Sequence, residues 1–460
     1  MGAVPMAAVV RKATPNDFII TPTKKQIYLL CFLGFIFLGT GILFLVRRSV
    51  PFDASIISKQ DALEDYDYLW YFLEENYPFL SMAERKYPIS VNALKKSGRQ
   101  QIEAFEGESL DFYNYYQILQ DRVGHFHQLA HLSLLSPAAY QTLLLEDKNI
   151  LQNESNDFIA HNYNILSDSV VYDRYAYLAE KTGNPFPETA ARDPSAPIIS
   201  APTESSGKSS TNLSFRDINE KTGYIKVNSF KYSFMETDKK LLKEWFLAHT
   251  DTDYIIIDIT GNGGGSSAYW MNLIVSPNIR QAIDWNSIML TPYGKESREQ
   301  FASTGIQKSD LNPNLKDLET LPAINPTDLQ DNRYYISAHL SVSPSLEAPL
   351  CSGQFFLLVD SQVASAADGF AQFCKATGFA TVIGENTWGD GGGANVYIAK
   401  LPKSKLILRY RAMHALNADG SSNVEFGTTP DILCKRVSGF SGLPALSACL
   451  EYIESLEKEN

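Results

Sequence analysis

The chain reads as an α/β protein: a mixed β-sheet core preceded by a helical N-terminal subdomain and a single transmembrane helix. Three observations predict this. From Gly223 onward, short apolar runs alternate with stretches of helical spacing, the pattern of buried strands joined by crossover helices. Before that, Leu63, Tyr66, Leu69, Trp70 and Leu73 recur at three- and four-residue steps. And the run that opens at Ile27 and closes at Val46 is uncharged, almost wholly apolar and as long as a bilayer is thick.

That run is flanked by Lys24 and Lys25 before it and Arg47 and Arg48 after it, with no small-residue cleavage site. It is expected to be an uncleaved anchor. The basic residues of the N-terminal tail favour a single-pass protein of the cell membrane with the bulk of the chain outside the cytoplasm. The expected organisation is a short cytoplasmic tail at 1–25, the anchor at 26–48, a helical subdomain at 52–150, an insertion and linker at 151–215, and the core at 216–450. The linker is read from five prolines between 185 and 202, followed by a Ser-rich stretch that cannot bury a core.

The 460 residues carry a net charge of −12 and no basic patch interleaved with aromatics, which argues against a nucleic-acid partner. Cys351, Cys374, Cys434 and Cys449 allow three pairings, show no metal-type spacing, and are equally consistent with free buried thiols. No cofactor is implied.

Taken in order, a second helical stretch from Leu110 to Val123 leads into a segment holding His125, His127 and His131. An H-x-H pair could share a cation, but no Asp, Glu or Cys completes a ligand set locally, so no metal is expected. His131, at the head of the apolar run 132–135, could act as a base at a strand edge, or be a histidine satisfied by its own backbone. The core begins with an alternating strand at 223–230, a helix at 238–249 and a buried strand at 254–258. That strand runs into Thr260-Gly-Asn-Gly-Gly-Gly265, which lacks the Lys and Ser/Thr of a phosphate loop and reads instead as a place for oxyanion donors. Residues 295–348 are a long excursion with short helices.

The centre is 355–378. Phe355 to Val359 is a strand buried on both faces; Asp360 to Gln362 is a turn; Ala367, Phe370, Ala371 and Cys374 fall at helical spacing; Gly378 stops the helix. Ser365 then stands at the helix N-terminus, where unpaired N–H groups favour negative charge. It is either a nucleophile or an ordinary N-cap. A third buried strand at 380–383, a hairpin at 395–401 and 406–414, and a last helix near 447–456 complete the reading.

Four motifs in order resemble the carboxyl-terminal processing and tricorn-core family of serine peptidases: Asp258-Ile-Thr-Gly-Asn-Gly-Gly, Val363-Ala-Ser-Ala-Ala-Asp, Ile383-Gly-Glu-Asn-Thr-Trp-Gly, and Glu425-Phe-Gly-Thr-Thr-Pro-Asp-Ile. The resemblance covers about Gly223 to Leu433 and implies a peptidase core of the ClpP/crotonase-like type acting on peptides or protein tails. It implies Ser365 as nucleophile. The lysine base of the processing peptidases is absent, since its slot holds Asp390. The tricorn-like branch uses a His and a Glu instead, matching His131 and Glu425, with His125 and His127 as rivals for the base. Backbone N–H groups of Gly264 and Ala366 are implied as oxyanion donors, and Asp368 and Trp388 as candidate pocket residues. The family's arginine is Thr260 here, and no PDZ-like segment is present. The expectation is a membrane-anchored serine endopeptidase with a Ser-His-Glu site. The alternative is a relative without chemistry that binds a peptide or apolar ligand.

Overall fold

The computed structural model describes residues 52–153, 155–186, 211–392, 395–434 and 444–459. The expected tail and anchor, Cys31 and most of the proline-rich linker lie outside the described residues. Among the described residues no helix is long and apolar enough to cross a membrane.

The N-terminal part is helical, as its periodicity predicts. Helices α1 (Lys59–Asn76), α2 (Leu80–Lys86), α3 (Val91–Glu103) and α4 (Phe112–Gly124) are set by local signals. Ser58 caps α1 and Asp111 caps α4, each side chain accepting from a backbone N–H of the first turn. A two-stranded antiparallel ribbon, β1 (Ile56–Ser58) with β2 (Ser109–Asp111), ties their starts together. After β3 (Ser133–Leu134) come α5 (Pro137–Asn153), α6 (Asp157–Leu166) and α7 (Ser169–Lys181). Sequence periodicity assigns no role to 152–181. The structure makes it a helical pair whose Tyr175 stacks on Tyr140 at 4.2 Å between ring centroids. The helical part therefore runs to about 181, past the expected boundary at 150.

The core strands are β4 (Leu213–Asn219), β5 (Thr222–Val227), β6 (Tyr254–Asp258), β7 (Ile283–Thr291), β8 (Tyr334–Val342), β9 (Gln354–Val359), β10 (Ala380–Gly384), β11 (Tyr397–Lys400), β12 (Ile407–Tyr410), β13 (His414–Leu416) and β14 (Ile432–Leu433). The central sheet has the order β14-β10-β9-β6-β5-β4, parallel except for the antiparallel edge strand β4. It is covered by α8 (Met235–Ala248) and α9 (Ala366–Thr377) on one face and α10 (Pro444–Glu459) on the other, which explains why β6 and β9 read as unbroken apolar runs.

Two small antiparallel sheets flank it. In β13-β7-β8, the excursion returns as β8, paired with β7 through a nine-residue register. In β11-β12-β3, the expected hairpin pairs with the strand that follows the histidine segment, through Leu408↔Leu134 and Arg409↔Ser133. The helical part and this hairpin share one hydrophobic cluster, so a boundary drawn by sequence position does not separate two bodies here. Cys351, Cys374, Cys434 and Cys449 are all free thiols.

Candidate active site

Ser365 stands between β9 and α9 with φ 53° and ψ −129°, a backbone conformation that side-chain-bearing residues rarely adopt. Its side chain makes no capping hydrogen bond to the helix, so the plain N-cap reading does not hold. The turn is held from both sides: Ser365 N–H donates to the Gly389 carbonyl at 3.0 Å, and Ala364 N–H donates to the Asn262 carbonyl at 3.2 Å. The glycine loop after β6 closes on it. A Cβ built on Gly264, itself at φ +99°, would lie 2.7 Å from the Ala364 carbonyl oxygen and 2.9 Å from the Ala366 nitrogen, so only glycine fits.

The hydroxyl faces charge. The nearest hydrogen-bond partner of Ser365 Oγ is Nη2 of Arg411, at 3.5 Å. Arg411 Nε lies 2.9 Å from Asp390 Oδ1, and Asp390 Oδ2 lies 3.0 Å from His131 Nε2. Both contacts are at ion-pair distance but off the line of an ideal hydrogen bond. Hydroxyl and imidazole are thus joined through Asp390 and Arg411, with no direct hydrogen bond between them. Burial pushes the Asp390 carboxyl upward, but the Arg411 guanidinium and the contact with His131 outweigh it and hold the group below the usual carboxylate value.

His131 reaches this place on a strained segment. His127, Gln128, Ala130 and His131 all have positive φ without being glycine. The turn is closed by His131 N–H donating to the Gln128 carbonyl and locked to the core by Arg411 N–H donating to the Ala130 carbonyl. The other two histidines are not brought in. His127 is exposed and packs on the Tyr87 ring, and His125 forms the C-cap of α4.

Glu425 falls elsewhere. Its carboxylate is taken by Arg85 at 2.7 Å, part of a cluster that includes Asp328, and it makes no ion pair with His131. The reason is local: Glu425 sits on a short helix, Asn423–Phe426, whose N-cap Ser422 turns the loop toward α2. The acid at His131 is Asp390, in the slot where the sequence comparison marked only a missing lysine. For the oxyanion, Ala366 N–H heads α9 and has no partner among the described residues, whereas Gly264 N–H already donates to Asn262 Oδ1 at 2.9 Å. Asp368 is no pocket wall. It is fully buried, receives hydrogen bonds from Thr387 and Asn423, and ties α9 to two loops; burial raises its carboxyl despite those bonds. Trp388 is 63% exposed, with the Lys86 ammonium 5.8 Å above its ring.

Two further residues escaped the sequence. Lys226 replaces the arginine that Thr260 lacks. The parallel register sets it opposite Asp258, and its Nζ donates to Asp258 Oδ1 at 2.9 Å and Thr260 Oγ1 at 2.7 Å. Tyr224 binds the other oxygen of Asp258 at 2.6 Å, so the strand end that launches the glycine loop is fully satisfied. Arg411 is the second. Its signal was its alternation with Arg409 in a largely apolar arm, 406–413, but nothing local says what two such arginines face.

A strained serine between a buried strand and helix, under a glycine loop, is an arrangement in which a serine nucleophile is presented. The sequence profile of peptidase family S41 matches residues 221–434, so the core of this chain resembles that family. No curated protein sequence matches significantly. Among solved structures, a protein from Parabacteroides merdae assigned as a peptidase superposes with a TM-score of 0.50 at 16% identity, covering 86% of this chain and 96% of that one. Mature CPAF gives 0.49 at 13%, covering 87% and 97%. The tricorn protease gives 0.31 at 17%, covering 52% of this chain and 18% of that one.

Proposed function

We propose that this chain is a serine endopeptidase in which Ser365 attacks the scissile carbonyl and His131 takes its proton. Asp390, rather than Glu425, would orient the imidazole and balance its charge. The observation that carries the reading is the strained, uncapped Ser365 linked through Arg411 and Asp390 to His131.

The chemistry follows from the parts. The Ser365 hydroxyl is a weak nucleophile until a base accepts its proton. An imidazole beside an ionised, buried carboxylate can become imidazolium at low cost, because the charge it gains meets a fixed opposite charge. The tetrahedral oxygen would be met by Ala366 N–H, with Gly264 N–H joining once Asn262 releases it. In the resting arrangement Arg411 holds the hydroxyl, so the direct contact between His131 and Ser365 forms when substrate displaces the guanidinium. Catalytic hydrogen bonds are often long or misaligned before substrate binds. Room for a peptide is supported by a cleft of about 530 Å³ along α9, walled by Gln372, Lys375, Leu416 and Phe426. Gln372 is two turns from Ser365 on the same helix face.

The substrate class is a peptide or protein. We further propose that residues 27–46 anchor the protein in the cell membrane with the core outside the cytoplasm, a reading supported by length and charge pattern. The second reading, a relative that binds peptides without cleaving them, draws on the Arg411 contact with the hydroxyl. A fluorophosphonate probe tests between them. Labelling of the folded full-length protein that disappears in Ser365→Ala supports the enzyme; no labelling of folded protein supports the binder.

A further inference from the structure

Arg409 stands two positions before Arg411, the arginine at the nucleophile, and among the described residues it makes no ion pair. It lies on β12, the middle strand of its sheet, opposite Ile398 on one side and Ser133 on the other. Arg411, one residue past the end of β12, is 4% exposed and reaches both Asp390 and Ser365, and it lies close enough to Arg409 for the two guanidinium groups to repel each other. Both oxygens of Asp390 are already committed, one to Arg411 and one to His131. Among the described residues no acid lies within ion-pairing distance of Arg409.

The surroundings disfavour its charge. Burial and the neighbouring Arg411 both push the Arg409 guanidinium down from its ordinary value, and the more distant Asp390 and Glu146 only partly offset them. A chain with a net charge of −12 thus keeps an arginine here without an ion pair among the described residues. A half-buried guanidinium without a partner is costly unless an anion arrives, and its planar fork matches a carboxylate in two parallel hydrogen bonds.

We propose that Arg409 receives a carboxylate of the bound peptide close to the scissile bond, and so sets the substrate preference of this site. The carboxylate is either an Asp or Glu side chain or the free end of the peptide. This rests on the peptidase reading of Ser365, and the experiment separates the two.

Binding is read on the full-length Ser365→Ala protein, which cannot turn over, with fluorescent peptides. In each peptide one position at a time carries Glu or Gln, and each is made as free acid and as C-terminal amide. The expected result is that either one Glu-to-Gln change or amidation weakens binding about tenfold or more. That difference should vanish in Ser365→Ala/Arg409→Gln and be partly kept with Arg409→Lys, which retains the charge. A loss on Glu-to-Gln alone identifies a side chain as the source, and a loss on amidation alone identifies the chain end. Equal binding of all peptides to folded protein with and without Arg409 overturns the inference, even if fluorophosphonate labels Ser365. Arg409-dependent binding without such labelling would sustain it while sinking the peptidase reading.

Discussion

The two halves of the site are built in opposite ways. The Ser365 half comes from one continuous piece of chain, β9, a tight turn and α9, stiffened by the central parallel sheet. The His131 half is assembled from three pieces, the segment at 125–131, Asp390 between two glycines, and Arg411 at the end of β12. It holds four non-glycine residues at positive φ in the histidine segment alone, against the single Ser365 in the turn. Strain of this kind persists only where the surroundings over-determine it. The comparison teaches that the nucleophile is secured by secondary structure, whereas the base is secured by packing between elements far apart in sequence.

The largest effect that could break this contrast is at Ser365. Ser365→Ala should abolish fluorophosphonate labelling and lower turnover about 10⁶-fold; labelling that persists would move the nucleophile elsewhere. Next, His131→Ala should reduce turnover about 10⁴-fold or more while His125→Ala stays within twofold, measured on the same peptide. The reverse pattern would hand the base to His125. Third, Asp390→Asn should lower kcat about 10³- to 10⁴-fold, while Glu425→Gln costs only a few-fold because its partner is Arg85. If Glu425→Gln is the damaging change, the tricorn-like assignment returns.

A smaller effect sharpens the nucleophile half. Lys226→Met leaves the buried Asp258 carboxylate without its cation and should cost about 3–5 kcal/mol in chemical denaturation. The smallest lies outside both halves. Burial lifts the Asp147 carboxyl to about 7, and one of its oxygens has no partner. The folded protein keeps this proton up to about pH 7, whereas the unfolded chain releases it near the ordinary value of 3.8, so stability is lost as pH rises between those values. Asp147→Asn should therefore raise the melting temperature at pH 8 and leave it nearly unchanged at pH 4. An equal gain at both would show that the group is not titrating as described.

Much of the fold was legible because it is written locally. The buried strand 254–258, the helix after Ser365 and the hairpin at 397–410 follow from runs, spacing and turn residues, and the structure moves their ends by only a few positions. What was not legible depends on pairing. The edge strand β4 carries mixed exposure and no clean alternation. Residues 157–181 carry local caps at Asn156 and Asp168 but little periodicity, and their place is set by packing on α5. Trp388 and Asp368, both candidate pocket residues by resemblance, part company: Trp388 is exposed and Asp368 buried, since exposure at those positions is fixed by which loops close over α9.

The sequence alone determined that a serine would stand at the head of a buried helix, under a glycine loop, with a histidine segment upstream, because apolar period and glycine placement act within a few residues. Only the tertiary structure decided which acid meets His131, which cation supports Asp258, and that Arg411 reaches the hydroxyl. Those contacts join Asp390 to His131 and Lys226 to Asp258 across 259 and 32 positions of chain. Short-range preferences do not encode such distances; the register of the sheets does.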